Sequence, residues 1–370
     1  MAIRTAPPAL AKRTAHPFLS YEAIGQQPER IAEVFRRERE NITRAGEAAA
    51  SCKRLLLAGI GSSYHAALVG GFFLRHLTAG RLLPIVEQSF EFVQYPLAAG
   101  ADDAAILISH RGSKNDSVEA LRLLNAAGAY TIAVTGSGPN ELAKAARLSI
   151  ATCELETAFA HTKSYTAALA VLAGVCVELA QRRGLLANPQ SAREGLGRIA
   201  QYVGDALGCE SAAQAAAREI ARRERWIFVG AGPNWPTALE ASLKAKEMSY
   251  SSAEGMETEQ FLHGPQAEID ERACVTVFLT GSSADGRAQQ LLRACGELGA
   301  LRVAIAAKGV DAAGAACVLN MPKVEEWLTP FVHVVGAQLL SYFTALERGA
   351  NPDTGREDQP AHARARLQFD

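Results

Sequence analysis

In the stretch "RLLLAGIGSSYHAALVGGFFLRHL" (54–77), an apolar strand is followed by a glycine-rich turn and then by a helix. The stretch "RWIFVGAGPNWPTALEASLKAKEMSY" (225–250) repeats that order in the second half of the chain. Both strands are continuous apolar runs rather than alternating ones, a pattern typical of parallel strands that are buried on both faces. The sequence therefore predicts parallel sheets covered by helices.

The two halves keep one register over a longer span. Residues 104–136 and 275–307 each add a strand, a helix and a further strand. Three pairs of landmarks are each 171 positions apart: Gly61 and Gly232, Ser109 and Thr280, and Ile132 and Val303. We predict an α/β fold of two tandem doubly wound parallel-sheet domains, flavodoxin-like and related by internal duplication.

The same pattern divides the chain into four parts. They are an N-terminal extension with a helix (1–48), a first domain (49–190), a linker helix with a second domain (191–349) and a polar tail (350–370). Proline at position 28 suits the first turn of the N-terminal helix, because proline fits the start of a helix better than its interior.

The composition narrows the class of protein. The chain is 48% hydrophobic and 21% charged, with a net charge of −1, so neither sign dominates and broad binding to nucleic acid is not expected. Seven cysteines without a C-x-x-C spacing favour reduced thiols and a cytoplasmic location. The apolar run 164–180 is short and rich in small residues, which favours a buried helix over a membrane span.

Ligands of doubly wound sheets bind beyond the carboxyl ends of the strands. The first such turn, "GIGSS" (59–63), offers Gly61, Ser62 and Ser63 at a helix start, where free N–H groups and the helix dipole favour an anion. Simple capping of the helix by the two serines stays equally open. The turn is not a P-loop, and Tyr64 stands where a dinucleotide turn has its third glycine.

The second turn follows the next strand of the first half. It reads "SHRGSKNDS" (109–117) and contains Ser109, His110, Arg111, Ser113 and Lys114. Basic side chains beside hydroxyls predict a phosphate-binding turn. The same sequence is also compatible with a helix start at which Arg111 and Lys114 are simply solvated. Because the second half lacks this set, we expect one anion site per chain, in the first half.

A further cluster of charged residues occurs on the helix of the second half. Glu240, Lys244 and Glu247 are spaced to share one helical face, which by itself indicates no more than a surface ion pair. Sixteen positions after Glu247, His263 stands directly before a Gly-Pro pair, in a segment without helical or strand periodicity.

Together these motifs resemble the sugar isomerase (SIS) family, most closely the isomerase half of its glutamine:fructose-6-phosphate amidotransferase members. The distinctive part is "LEASLKAKEMSYSSAEGMETEQFLHGPQAEID" (239–270), and "GQQPERIAEVF" (25–35) is similar to the family's linker segment. The resemblance implies that Glu247 moves a proton between C1 and C2 of an open-chain sugar phosphate. It implies that His263 assists ring opening in the site of a neighbouring subunit, so at least a homodimer is expected.

The same resemblance assigns the remaining site residues. Lys244 and Glu240 would line the sugar pocket, with Lys244 counted among the catalytic residues, and the 61–63 and 109–114 turns would hold the phosphate. Phe159 and Thr162 in "AFAHTKSYT" (158–166) would lie near the substrate. No metal or redox cofactor is implied.

The chain departs from the family pattern in three places. A glutaminase domain is absent, so glutamine is not expected to supply ammonia within this chain. The family's S-Q-S-G-E-T loop is "SHRGSK" here, which suits a more strongly held phosphate or another anion such as a carboxylate. The tail lysine that forms a Schiff base in the family is replaced by Ala365, between Arg364 and Arg366, and an arginine does not form a Schiff base under ordinary conditions.

These observations favour an enzyme acting on an amino- or keto-hexose 6-phosphate, by aldose–ketose isomerisation or by deamination or deglycation. The alternative is a non-catalytic sugar-phosphate-binding regulatory protein. A nicotinamide dehydrogenase, with Glu87 as the acidic residue that closes the second strand, depends on the "GIGSS" turn alone and is disfavoured by the missing glycine.

Overall fold

The computed structural model describes residues 13–113 and 115–368, so Lys114 and the first twelve residues lie outside the described part. Its strands form two five-stranded, all-parallel sheets. The strands of the first sheet are β1 (Arg54–Gly59), β2 (Ile85–Gln88), β3 (Asp103–Ser109), β4 (Tyr130–Thr135) and β5 (Leu148–Ala151). Those of the second are β6 (Arg225–Gly230), β7 (Ser252–Glu257), β8 (Ala273–Leu279), β9 (Leu301–Ala307) and β10 (Cys317–Met321).

Both sheets have the same topology. The first runs β2-β1-β3-β4-β5 and the second, read from its other edge, runs β7-β6-β8-β9-β10. Each is the 2-1-3-4-5 order of a flavodoxin-like domain. The predicted fold class is confirmed.

Helices cover the faces of both sheets. In the first half they are α1 (Leu19–Gly25), α2 (Gln27–Arg37), α3 (Arg39–Ser51), α4 (Ser62–Leu77), α5 (Ser89–Gln94), α6 (Asn115–Ala126), α7 (Glu141–Ala145) and α8 (Lys163–Arg182). In the second they are α9 (Pro189–Ala206), α10 (Glu210–Ile220), α11 (Asn234–Ser249), α12 (Thr258–Leu262), α13 (Asp285–Glu297), α14 (Thr329–Glu347) and α15 (Pro360–Arg366). Short 3₁₀ turns lie at Leu207–Cys209, Pro265–Glu268 and Glu326–Leu328.

Strand pairing refines the internal repeat. Arg54 pairs with Asp103 on β3, and Arg225 pairs with Ala273 on β8, so β3 and β8 match at 170 positions rather than 171. The structural counterpart of Ser109 is therefore Leu279, one residue before Thr280. Gly61 and Gly232 keep their equivalence, since both have a positive φ before the following helix (59° and 53°).

The N-terminal region is not a detached extension. The helix expected around Pro28 is two helices, α2 and α3, which meet at Glu38. Ile31, Val34 and Ile42 are buried, and both helices pack against α8. The region therefore belongs to the core of the first domain.

The long apolar helix α8 lies in that core. Among the described residues it is the one helix long and apolar enough to cross a membrane, and 89% of its 18-residue apolar window is buried inside the fold. Apolar side chains cover it on several sides, as the sequence predicted for a buried helix.

The two halves share one hydrophobic core. Helix α4 of the first half packs against α11 of the second. The ring of Phe73 stacks on that of Phe331 with 5.8 Å between centroids, and Trp327 packs edge-on against Phe73. This contact fixes the carboxyl ends of β1 and β3 beside α11, where the two halves meet.

Candidate active site

A cleft of about 810 Å³ opens where the two halves meet. Most of its wall comes from the turns that follow β1 and β3, and the rest comes from α11, the 159–161 segment and α15. The wall therefore lies at the sheet edge where a doubly wound domain binds its ligand.

The first turn is shaped by two glycines. Gly61 has a φ of 59°, which favours glycine, and α4 begins at the next residue, Ser62. A Cβ on Gly59 would come within 2.5 Å of the backbone carbon of Ser63, so only glycine lets the strand end and the helix approach this closely. Gly61, Ser62 and Ser63 all line the cleft, and they present the N-terminus of a 16-residue helix to it.

The second turn contributes three of its predicted residues. Ser109, His110 and Arg111 line the cleft, and Gly112 turns the chain away with a φ of 62°. Ser113 is half-buried and is not part of the wall, and Lys114 lies outside the described residues. The first turn of α6 adds Ser117, a hydroxyl that the sequence analysis missed although it stands in the quoted segment.

Beneath the first turn, side chains of both halves form one hydrogen-bonded network. Ser62 Oγ donates to Glu240 Oε1 at 2.9 Å, and His65 Nδ1 donates to Glu240 Oε2 at 2.8 Å. Lys244 Nζ donates to Ser62 Oγ at 3.1 Å and lies 3.3 Å from Glu240 Oε1. Both Glu240 and Lys244 are fully buried, so the surface ion pair that their spacing indicated is wrong.

Glu247, one turn beyond Lys244, carries the network into the cleft. Its Oε2 accepts from Lys244 Nζ at 2.5 Å, while its side chain keeps 18% of its surface exposed. Of the acidic side chains that the structure describes, Glu247 alone lines the cleft.

The three charges of α11 differ in their protonation. Burial opposes the charge of Lys244, but Glu240 and Glu247 outweigh it and raise the pKa of the ammonium. Burial also raises the pKa of the Glu240 carboxyl, but Lys244 and His65 more than offset this and lower it. Burial raises the pKa of Glu247, with only partial compensation from Lys244. Glu240 and Lys244 thus form a buried ion pair, whereas the raised pKa makes the carboxyl of Glu247 easier to protonate than an ordinary glutamate.

The 156–162 segment supplies the wall opposite α11. Phe159 lines the cleft, whereas Thr162 is fully buried and donates through N–H and Oγ1 to the carboxylate of Glu156. Thr162 therefore holds the loop in place rather than facing the cleft. His161, beside it, does face the cleft and was missed by the sequence analysis.

His161 and His110 form an imidazole pair. Their ring centroids are 4.9 Å apart in an edge-on arrangement, and His110 Nε2 accepts from the Glu156 N–H at 3.0 Å. Burial lowers the pKa of His110 and lowers that of His161 to about 3. Both rings are thus neutral at pH 7, and the Glu156 bond leaves the proton of His110 on Nδ1.

The tail also reaches the cleft. Arg366, the last residue of α15, is part of the wall, with its guanidinium carbon 4.7 Å from the ring centroid of Phe159. Ala365 is exposed. The sequence analysis treated Arg366 only as a neighbour of the missing lysine, and no local pattern indicated where it would lie.

His263 is the one predicted catalytic residue that does not meet the others within a chain. It follows α12, is 72% exposed and donates from Nδ1 to the carbonyl oxygen of Glu259 at 2.8 Å. It is not part of the cleft wall.

Comparisons with known proteins agree with this architecture. The SIS domain matches at residues 49–175 and 219–348. The glutamine–fructose-6-phosphate aminotransferase [isomerizing] of Thermococcus kodakarensis is 29% identical over 352 residues, which are 94% of this chain and 58% of that protein. The chain thus spans somewhat more than half of that relative.

Solved structures show the same fold. The C-terminal domain of glucosamine-fructose-6-phosphate aminotransferase from Francisella tularensis superposes with a TM-score of 0.84 at 22% identity, covering 93% of this chain and all of that one. The glucosamine-6-phosphate deaminase of Thermotoga maritima gives 0.72 at 21% identity, covering 91% and 97% of the two chains. The matched domain and the doubled fold lead to one conclusion: the chain belongs to the SIS domain family and carries two copies of that domain.

Proposed function

We propose that this protein is a phosphosugar isomerase or deaminase that acts on an amino- or keto-hexose 6-phosphate. The observation that carries the proposal is the position of Glu247. It is a carboxyl group of raised pKa, tied to a buried lysine, in a cleft that also presents serine hydroxyls and a helix N-terminus. The relatives described above act, by their names, on fructose 6-phosphate or glucosamine 6-phosphate.

The phosphate would bind at the two turns of the first half. The N-terminus of α4 and the residues Ser63, Ser109 and Arg111 border the cleft, whereas the hydroxyl proton of Ser62 is already donated to Glu240. Such donors at a helix start suit a dianionic group. The sugar chain would then extend toward α11 and Glu247.

Glu247 would carry the proton between two carbons of the open-chain sugar. As a carboxylate it removes the proton from the carbon beside the carbonyl, giving an enediol, and then returns that proton to the adjacent carbon. Where a carbon bears an amine in place of a hydroxyl, the same shift gives an imine. Water adds to the imine, and the amine leaves as the carbonyl forms. Lys244 would orient the carboxylate through the 2.5 Å hydrogen bond.

Ring opening would need a second group, and we assign it to His263 of a neighbouring subunit. The exposed position of His263, outside the cleft of its own chain, supports an action across a subunit boundary. The site would then be complete only in an oligomer, with a homodimer as the smallest form.

The test follows label uptake rather than a single product. Protein is incubated in heavy water with fructose 6-phosphate, glucosamine 6-phosphate or a fructosamine 6-phosphate, and proton NMR scores exchange at C1 and C2. Ammonia release is assayed in parallel. We expect the wild type to exchange and Glu247→Gln to lose exchange while still binding the sugar phosphate.

Glu254→Gln is the matched control, because Glu254 is an exposed glutamate on β7, outside the cleft. Exchange at the wild-type rate in Glu247→Gln would remove that residue from the role. Binding without exchange or ammonia release on every sugar phosphate, in the wild type itself, would favour the regulatory alternative.

A further inference from the structure

Two arginines from distant parts of the chain line the same cleft. Arg111 follows β3 in the first half, and Arg366 ends α15 in the tail. Because both line one cleft, they bear on how many anionic groups the ligand of this chain carries.

Arg366 is held in place on two sides. Its guanidinium carbon lies over the ring of Phe159 at 4.7 Å, and its Nε is 3.0 Å from Glu357 Oε1. Phe159 is itself fixed, since its backbone N–H donates to the carbonyl oxygen of Asp353 at 3.0 Å. Stacking on an aromatic ring and pairing at Nε leave the terminal N–H groups of a planar fork for a further acceptor.

One phosphate does not account for both arginines. Ser63, the N-terminus of α4 and Arg111 already form a set of donors for one phosphate at the turns. The cleft's own carboxylate, Glu247, is hydrogen-bonded to Lys244 rather than to either arginine. Arg366 is then an additional cation, on a different element from the phosphate turns.

A carboxylate fits Arg366 better than a second phosphate does. A guanidinium binds either a carboxylate or a phosphate with two parallel hydrogen bonds, so the geometry of the fork alone does not choose between them. The neighbouring Glu357 carries a negative charge, which repels a dianion more than a monoanion.

We propose that the substrate of this cleft is a phosphosugar that also carries a carboxylate, at C1 or on a C1 amine substituent, and that Arg366 binds this carboxylate. This inference deepens the proposed function and depends on it for the placement of the phosphate. It narrows the substrate class from hexose phosphates in general to those with a second anionic group remote from the phosphate.

Binding of matched ligand pairs, measured by calorimetry, tests the proposal without turnover. The first pair is 6-phosphogluconate and glucitol 6-phosphate, which differ only in a C1 carboxylate or alcohol. The second is 1-(carboxymethylamino)- and 1-(methylamino)-1-deoxyfructose 6-phosphate, titrated into Glu247→Gln to prevent reaction. We expect the carboxylated member of at least one pair to bind about tenfold tighter. Arg366→Gln should reduce that preference to within about twofold and leave the affinity of the member without a carboxylate unchanged.

Arg364→Gln is the control, since Arg364 is exposed on the same helix and is not part of the cleft wall. It should keep the preference. The inference would be overturned if the wild-type protein bound the two members of each pair with equal affinity, or if Arg366→Gln kept the preference for the carboxylated member. Failure of the proposed function gives a different result. The protein would then still prefer the carboxylated ligand but would show no proton exchange at C1 and C2.

Discussion

Lys244 Nζ lies 2.5 Å from Glu247 Oε2, at the point where a fully buried cation meets a carboxylate that opens to the cleft. The other side of the same ammonium faces Glu240 at 3.3 Å. One lysine thus contacts two carboxylates, of which only Glu247 borders the cleft. The arrangement places a buried ion pair and a partly exposed carboxylate on successive turns of one helix.

Replacing this lysine with an uncharged residue should destabilise the fold. Lys244→Met removes the buried cation and leaves Glu240 without its strongest partner, so we expect a loss of about 3–5 kcal/mol in the free energy of unfolding. Urea unfolding followed by circular dichroism measures it. Lys246→Met, on the exposed side of the same helix, should change stability by less than about 0.5 kcal/mol. Equal stabilities of the two variants would contradict the importance of the buried charge.

The pH dependence of proton exchange should report Glu247. Burial raises the pKa of its carboxyl, and only the deprotonated form removes a proton from the sugar. Activity should therefore fall as the pH is lowered through this raised pKa, so the acid limb lies at a higher pH than an ordinary glutamate would give. Deuterium uptake measured from pH 4 to pH 9 locates the limb.

A substitution of Lys244 serves as the control for the position of this acid limb of the pH profile. In a folded Lys244→Arg variant the positive charge remains, and the acid limb should shift little. A limb at the pH of an unperturbed glutamate in the wild type would assign the proton transfer to another group.

The tight first turn gives a prediction about phosphate binding. Gly59→Ala would place a Cβ 2.5 Å from the backbone carbon of Ser63, and relieving that clash moves the start of α4. We expect about 1–3 kcal/mol less stability and a weaker affinity for inorganic phosphate or a sugar phosphate. Gly197→Ala, where nothing lies within 4 Å of the added Cβ, is the control and should leave ligand affinity unchanged. If Gly59→Ala also keeps the wild-type affinity for phosphate, the turn after β1 is not part of the anion site.

The parallel sheets and the turns after β1 and β3 could be predicted from the sequence, because buried strands and helix starts have local patterns. The burial of Glu240 and Lys244 could not be predicted, because an exposed ion pair has the same spacing along a helix. Only the packing of α11 on α4 distinguishes the buried pair from an exposed one. His161 and Arg366 carry no local signal either. They enter the cleft because the loop after β5 and the tail fold back to it, which is a property of the tertiary structure.

The role assigned to His263 predicts complementation between two inactive variants. Glu247→Gln and His263→Ala should each have lost most of the exchange activity as separate proteins. If a site takes Glu247 from one subunit and His263 from its neighbour, random mixing of equal amounts leaves about a quarter of the sites with both groups intact. Activity should rise to about a quarter of the wild-type value after the mixture is denatured and refolded together, or after co-expression. Mixing the folded proteins without exchange of subunits is the control and should give none. A co-refolded mixture as inactive as its components would contradict action across a subunit boundary, and a fully active His263→Ala protein would shift the role to His110 or His161, the imidazoles that border the cleft.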